Sequence, residues 1–216
     1  MLALYGHPFS SYTWKALIAL YAQDIPFAFR MVGPDHAHHA AVVQHAGPLG
    51  KFPVLEDGAK LVFEATSIIE HLALHHATPG ALIPADPVAA AEVRLLDRVF
   101  DNYVMAVMQS VVNEYLRDGA QPDQARVAEA RAQLDRVYAW LDARLADYPA
   151  SDTITLVECA AAPALFYADW VHPISDAHPR LKDWRAHLLA LPPVRRCVDE
   201  ARPYREYFPL GAPDRD

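Results

Sequence analysis

The run Gly50-Lys51-Phe52-Pro53-Val54-Leu55-Glu56-Asp57-Gly58, followed by Phe63-Glu64-Ala65-Thr66-Ser67-Ile68-Ile69-Glu70, constrains this chain more than any other stretch. Proline cannot donate to a β ladder, so Pro53 directly before the strand-forming pair Val54-Leu55 needs a special arrangement. A cis Phe52–Pro53 bond supplies it at about 0.5–1 kcal/mol and leaves the backbone of Phe52 open for pairing. Asp57-Gly58 reads as a hairpin turn into a second strand, Lys60-Leu61-Val62-Phe63. Glu64, Ala65 and Thr66 then open a helix whose Ile68, Ile69 and Leu72 share one face. A helix N-terminus carries free N–H groups and a partial positive charge. The stretch therefore predicts a backbone edge, a lysine and a helix N-terminus close together, a site for a peptide-like anion.

The flanking segments supply the rest of a sheet. Leu2 to Tyr5 reads as a strand, and Ser10 or Ser11 can cap a helix that carries Trp14, Leu17, Ile18 and Tyr21 at helical spacing. Ile25-Pro26 ends that helix, and Phe27 to Val32 reads as the next strand, completing a βαβ unit. Asp35 to His45 is a weak, alanine-rich helix. The order βαβαββα places a mixed four-stranded sheet in residues 1–77, with 78–85 as a proline-rich linker and 86–216 as an all-α domain. Asp86 caps the first helix of that domain, with Pro87 at its first position. Val88 to Arg117 reads as one helix of about 30 residues, about 45 Å long. Gln124 to Tyr148 is the next, and Thr155-Leu156-Val157-Glu158 fits a capping box at the start of an apolar helix running through Trp170. Helices at Leu181–Leu191 and Val194–Ala201 follow.

Of the 216 residues, 53% are hydrophobic and 21% charged, which allows a soluble core without disulfides. A net charge of -8 argues against a nucleic-acid surface. No apolar run has the length of a membrane span, and Met1 to Tyr5 lacks a signal-peptide pattern. A cytoplasmic location is expected, and the two cysteines, Cys159 and Cys197, fit a reducing compartment. His36, His38 and His39 form one histidine cluster, and His71 with His75 has the i,i+4 spacing of a metal pair, with His76 beside it. No carboxylate or cysteine completes either group in sequence, so no metal is expected.

Three features together resemble the cytosolic glutathione transferase family, over essentially the whole chain. They are Leu4-Tyr5-Gly6-His7-Pro8-Phe9-Ser10-Ser11, the Gly50–Leu55 run with Glu64 to Leu72, and the capping box at Thr155. The resemblance is to serine-type members, phi-, zeta- or theta-like, and to bacterial ones. It implies a thioredoxin-like N-terminal domain that binds glutathione as co-substrate, an all-helical C-terminal domain that holds a small hydrophobic electrophile, and a homodimer, with neither nucleic acid nor membrane as partner.

By this resemblance Ser10, five residues after the strand residue Tyr5, contacts the glutathione sulfur, with Ser11 the next candidate. Glutathione's thiol has a pKa near 8.5, so a hydroxyl donor and a helix N-terminus favour its thiolate. Phe52, held by cis Pro53, pairs its backbone with the tripeptide. Lys51 meets the glycine carboxylate, and His39 reaches toward the same end. Glu64 meets the γ-glutamyl ammonium. The family commonly has serine next; here it is Ala65, whose N–H, helped by the Thr66 hydroxyl, holds the γ-glutamyl carboxylate. Tyr103, Met108, Tyr115, Trp170 and Tyr207 are candidates for the electrophile wall. A zeta-type isomerase would carry an arginine where this chain has Trp170, so that activity is not expected. Conjugation is the expected chemistry. Glutathione-dependent reduction of peroxides or mixed disulfides is an alternative, although the disulfide route normally uses a cysteine in place of Ser10. Ala65 leaves room for a non-catalytic interaction module.

Overall fold

The first strand, β1 (Leu2–Gly6), is buried on both faces, and the alternation of its side chains divides the interior. Leu2 and Leu4 point into the main core, while Ala3 and Tyr5 face a smaller cluster with Val43 and Val54. In this computed structural model, which describes every residue except 118, 120 and 149, β1 pairs in parallel with β2 (Phe27–Met31) and antiparallel with β3 (Val54–Asp57). β3 pairs antiparallel with β4 (Lys60–Phe63), giving the order β2-β1-β3-β4. Helix α1 (Ser11–Ala22) crosses between β1 and β2, and α2 (Ala37–Ala46) follows a single 3₁₀ turn at Pro34–His36. The Phe52–Pro53 bond is cis, as expected. Asp57 and Lys60 close the hairpin, with Gly58 at φ +61°, the left-handed conformation that favours glycine. Helix α3 (Ala65–His75) then packs beside α1.

Beyond the sheet the chain is helical. The expected single helix from Val88 to Arg117 is instead α4 (Pro87–Val99), a π-helical segment at Phe100–Met105, and α5 (Ala106–Tyr115). The dihedrals stay right-handed helical across both joints, at Phe100 and Ala106, so the rod is continuous but underwound in its middle. Apolar spacing alone does not reveal such a segment. Helix α6 (Gln124–Arg144) stops four residues short of Tyr148, because Ala146, Asp147 and Tyr148 bond to carbonyls three residues back. Helix α7 (Leu156–Val171) is buried at every position and packs against α1, α4 and α5, which makes it the axis of the molecule. Its capping box forms as expected, with Thr155 accepting from the Val157 N–H and Glu158 from the Thr155 N–H. Helices α8 (Pro179–Ala190) and α9 (Pro192–Ala201) each begin two residues before their expected starts, on a proline at the first turn. A 3₁₀ segment at Arg202–Tyr207 leads into the tail. Among the described residues no helix is long and apolar enough to cross a membrane.

Candidate active site

The loop between β1 and α1 is fixed from both halves of the molecule. A side chain at Gly6 would sit 2.6 Å from Thr13, so glycine is what lets the end of β1 lie against α1. The His7 N–H donates to the Thr13 hydroxyl at 3.3 Å, and the Phe9 N–H donates to His7 Nδ1 at 3.1 Å. The Trp14 indole N–H donates to the Pro8 carbonyl at 2.6 Å, and the Tyr167 hydroxyl of α7 donates to the Phe9 carbonyl at 2.9 Å. Ser10, delivered by this loop, is the N-cap of α1, and its Oγ accepts from the Thr13 N–H at 3.3 Å. A serine hydroxyl has one donor hydrogen and two lone pairs, so capping leaves the O–H free to donate. Ser11, the first helical residue, is buried.

Ser10 and Ser11 open onto a cleft of about 580 Å³ between the two halves. Tyr12, Lys51 and Phe52 continue their wall; Met108, Val112 and Tyr167 form much of the opposite one, closed by Tyr207 and Phe208 from the tail. The Gln109 amide, bonded to Asn113 at 2.9 Å, gives that apolar side a polar strip. Burial first, with the negative charges of Asp101 and Glu64 adding to it, pushes the Tyr12 hydroxyl up to about 12, so it stays a neutral donor.

The fold thus gathers Ser10, Ser11, Lys51 and Phe52 around one space, with cis Pro53 buried directly behind Phe52. Glu64, Ala65 and Thr66 sit at the N-terminus of α3, outside the lining of this cleft. Glu64 has φ +68° with ψ 119°, a sparsely populated conformation that costs a non-glycine residue about 1–3 kcal/mol. Thr66 departs from expectation. Its hydroxyl is engaged by the Lys15 ammonium at 2.9 Å, by Asp97 at 3.1 Å and by Arg98, so it is committed to an ionic cluster. His39 is also turned elsewhere: its Nδ1 lies 2.7 Å from the Met31 carbonyl and its ring edge meets Tyr5. Of the expected electrophile wall, Met108 and Tyr207 line the cleft, Tyr103 is exposed, and Trp170 is buried among Phe9, Phe166 and Phe208. Tyr115 is half-buried and packs on the main core.

Two groups escaped the sequence reading. Phe9, Tyr12, Tyr167 and Phe208 line the cleft, and only adjacency to Ser10 and Ser11 marks the first two. The second group is the ionic cluster. Lys15 is wholly buried, with its ammonium 2.5 Å from Asp97 and 2.7 Å from Asp101, while Arg98 pairs with both carboxylates. A lysine amid Trp14, Ala16 and Leu17 was the available signal, because a buried lysine requires a partner.

Residues 4–80 match the family described as glutathione S-transferase, N-terminal domain, and residues 124–187 match glutathione S-transferase, C-terminal domain. Glutathione S-transferase PARB of Nicotiana tabacum is 27% identical over 205 residues, a match spanning 88% of this chain and 94% of that protein. The uncharacterized GST-like protein YibF of Escherichia coli (strain K12) is 30% identical over 172 residues, spanning 78% of this chain and 83% of that one. In fold the chain is similar to glutathione S-transferase unclassified 2 from Bombyx mori, with a TM-score of 0.82 at 19% identity over 99% of each chain.

Proposed function

The chain belongs to the glutathione S-transferase family, and on that premise we propose that it conjugates glutathione to a small hydrophobic electrophile, with the Ser10 hydroxyl stabilising the thiolate. The observation that carries this reading is the position of Ser10. It stands at the N-terminus of α1, with a spare O–H, on the rim of a cleft whose far wall is largely apolar. A hydrogen bond to a charged group contributes about 1.5–3 kcal/mol, which is roughly one to two pKa units. Applied to a thiol near 8.5, that makes thiolate abundant at neutral pH. The thiolate then attacks an electrophile held against Met108, Val112 and Tyr167, and proximity supplies much of the acceleration. Tyr12 is a neutral donor beside Ser11 and suits developing negative charge on the electrophile.

The tripeptide lies across the stretch from Lys51 to Thr66. Lys51 takes the glycine carboxylate, the backbone of Phe52 pairs with the cysteinyl unit, and the N–H groups at the start of α3 take the γ-glutamyl carboxylate. Glu64 takes the ammonium, and its left-handed backbone fits the tendency of strain to collect at ligand clamps. Thr66 plays a supporting part through Lys15 and Asp97. The glutathione domain spans 1–77, the linker 78–85 and the helical domain 86–216. Both cysteines are fully buried and free, which disfavours disulfide chemistry through them and suits a reducing, cytoplasmic setting. Val88, Leu95 and Tyr103 are exposed at seven- and eight-residue spacing along α4 and its π segment, and this stripe supports a homodimer. A single-chain mass for the protein in light scattering would defeat that assembly.

The central test is Ser10→Ala. Turnover of a chlorodinitrobenzene-type electrophile should fall about 10- to 100-fold, the value of one hydrogen bond to an anion, with glutathione binding largely kept. Undiminished turnover would reject Ser10. If calorimetry shows no glutathione binding at millimolar ligand, an interaction module replaces the enzyme reading.

A further inference from the structure

The histidines at the end of α3 look incomplete as a metal group in sequence, and the adjacent carboxylate, Glu70, is paired with Arg94 at 2.7 Å. The fold supplies another. Asp57, on the β3–β4 hairpin, accepts from both His71 Nε2 at 2.9 Å and His76 Nε2 at 2.8 Å. These three ligand atoms all lie within 4.8 Å of one another. We propose that Asp57, His71 and His76 form a site for one divalent transition-metal ion of the zinc type, which ties the β3–β4 hairpin to the C-terminal end of α3.

Two neutral imidazoles and one carboxylate are a donor set that zinc takes, with bonds of about 2.0–2.2 Å and a fourth position open to water. Ligand atoms around a tetrahedral ion with such bonds stand about 3.3 Å apart. The two bonds to Asp57 would therefore open by about half an ångström, within reach of an exposed His76 and a surface hairpin. His71 is the anchor. It is buried, packed against the His75 ring at 4.5 Å, and fixed in direction by its position on α3.

One neighbour opposes the ion. The Lys60 ammonium lies 3.5 Å from His71 Nδ1, which makes Nδ1 the acceptor and leaves the ring proton on Nε2, where the metal would bind. Metal binding moves the Nε2 proton of each ring, His71 and His76, to its Nδ1, so both stay neutral, and displaces Lys60, whose side chain is exposed and free to turn away. The site stands apart from the active-site cleft. Helix α3 has 11 residues, so its C-terminal end lies about 16 Å from the N-terminus that faces glutathione.

Cobalt(II) is the probe, since a four-coordinate site gives it a visible absorption band that zinc abolishes by displacement. The full chain should bind one equivalent of cobalt with that band, and His76→Ala should weaken binding at least tenfold while leaving the circular dichroism unchanged. Lys60→Gln should tighten binding, because it frees Nδ1 to carry the proton. A His36→Ala/His38→Ala variant should bind as the parent does. Absence of uptake at millimolar metal overturns the proposal. Uptake unchanged by His76→Ala overturns it equally, and so does uptake lost in the His36/His38 variant, which places the ion on that other histidine cluster.

Discussion

His7 shows how one side chain ties the reactive loop to pH. Burial pushes its pKa below the ordinary 6.5, and Nδ1 accepts the N–H of Phe9, the residue directly before Ser10. Protonation would set two donors face to face. The unfolded chain takes up this proton near pH 6.5 and the folded chain only at lower pH, so between those values the unfolded state binds more protons and stability rises with pH. The His7 contribution is therefore complete above about pH 6.5 and is lost as the pH falls through the folded value. Thermal midpoints measured across this range should drop more steeply on the acid side for the parent than for His7→Gln. Parallel curves would show that His7 does not couple the loop to pH. Where the curves diverge, protonation of His7 frees the Phe9 N–H directly before Ser10, and turnover of the parent should follow the same acid limb.

At the scale of elements, what was legible in the sequence is what local chemistry specifies. The capping box is the clearest case. Glu158 is almost wholly buried and its carboxylate accepts from the Tyr148 hydroxyl at 2.8 Å, the Thr155 N–H at 2.8 Å and the Thr155 hydroxyl at 2.6 Å. Thr155→Ala removes one donor from a buried carboxylate and one acceptor from the helix start. It should destabilise the protein by about 1–2 kcal/mol in urea unfolding, while Thr155→Ser should stay close to the parent; equal losses would point to packing of the methyl group instead. The cis Phe52–Pro53 bond, the hairpin at Gly58 and the start of α3 are legible for the same reason, since each depends on residues within a few positions. The π segment at Phe100–Met105, the commitment of Thr66 and the meeting of Asp57 with His71 and His76 are not. Those depend on partners 14 to 51 residues away or on how the Phe100–Met105 segment packs against α7, and no periodicity encodes them. The cleft was half legible: its wall of Ser10, Ser11, Lys51 and Phe52 follows from the motifs at Leu4–Ser11 and Gly50–Leu55, whereas its apolar side is built largely by Tyr167 and Phe208, which α7 and the tail bring in from the far end of the chain.

At the scale of the whole molecule, a charged cluster bridges the two halves, joining α1, α3 and α4 beside the apolar packing of α1 on α7. Lys15 and Asp97 are both fully buried, and with Arg98 and Asp101 they make two positive and two negative charges, balanced in number. Lys15 also donates to Thr66, next to the Ala65 N–H at the start of α3. The two ends that would grip glutathione, the N-termini of α1 and α3, are thus registered to one rod of the helical half. Burying such a pair is itself costly, so its presence says little about net stability, but removing one partner leaves a charge stranded. Lys15→Met fills the space without the ammonium and leaves Asp97 with Arg98 as its charged partner and the Thr66 hydroxyl as a neutral one. Loss of one partner from a buried pair costs about 3–5 kcal/mol, and the surviving Arg98 contact holds the expectation to about 3. If the stranded charge is the cause, Lys15→Met with Asp97→Asn together should be more stable than Lys15→Met alone, with a coupling of 1 kcal/mol or more read from a double-mutant cycle in urea, at roughly the scale measured for contacting residues. Additive losses would mean that the two residues act separately and that the halves are held by apolar packing around α7. The same variant separates stability from registration: where Lys15→Met/Asp97→Asn is folded, its KM for glutathione should still rise, because Thr66 has lost the donor that sets the start of α3 against α1.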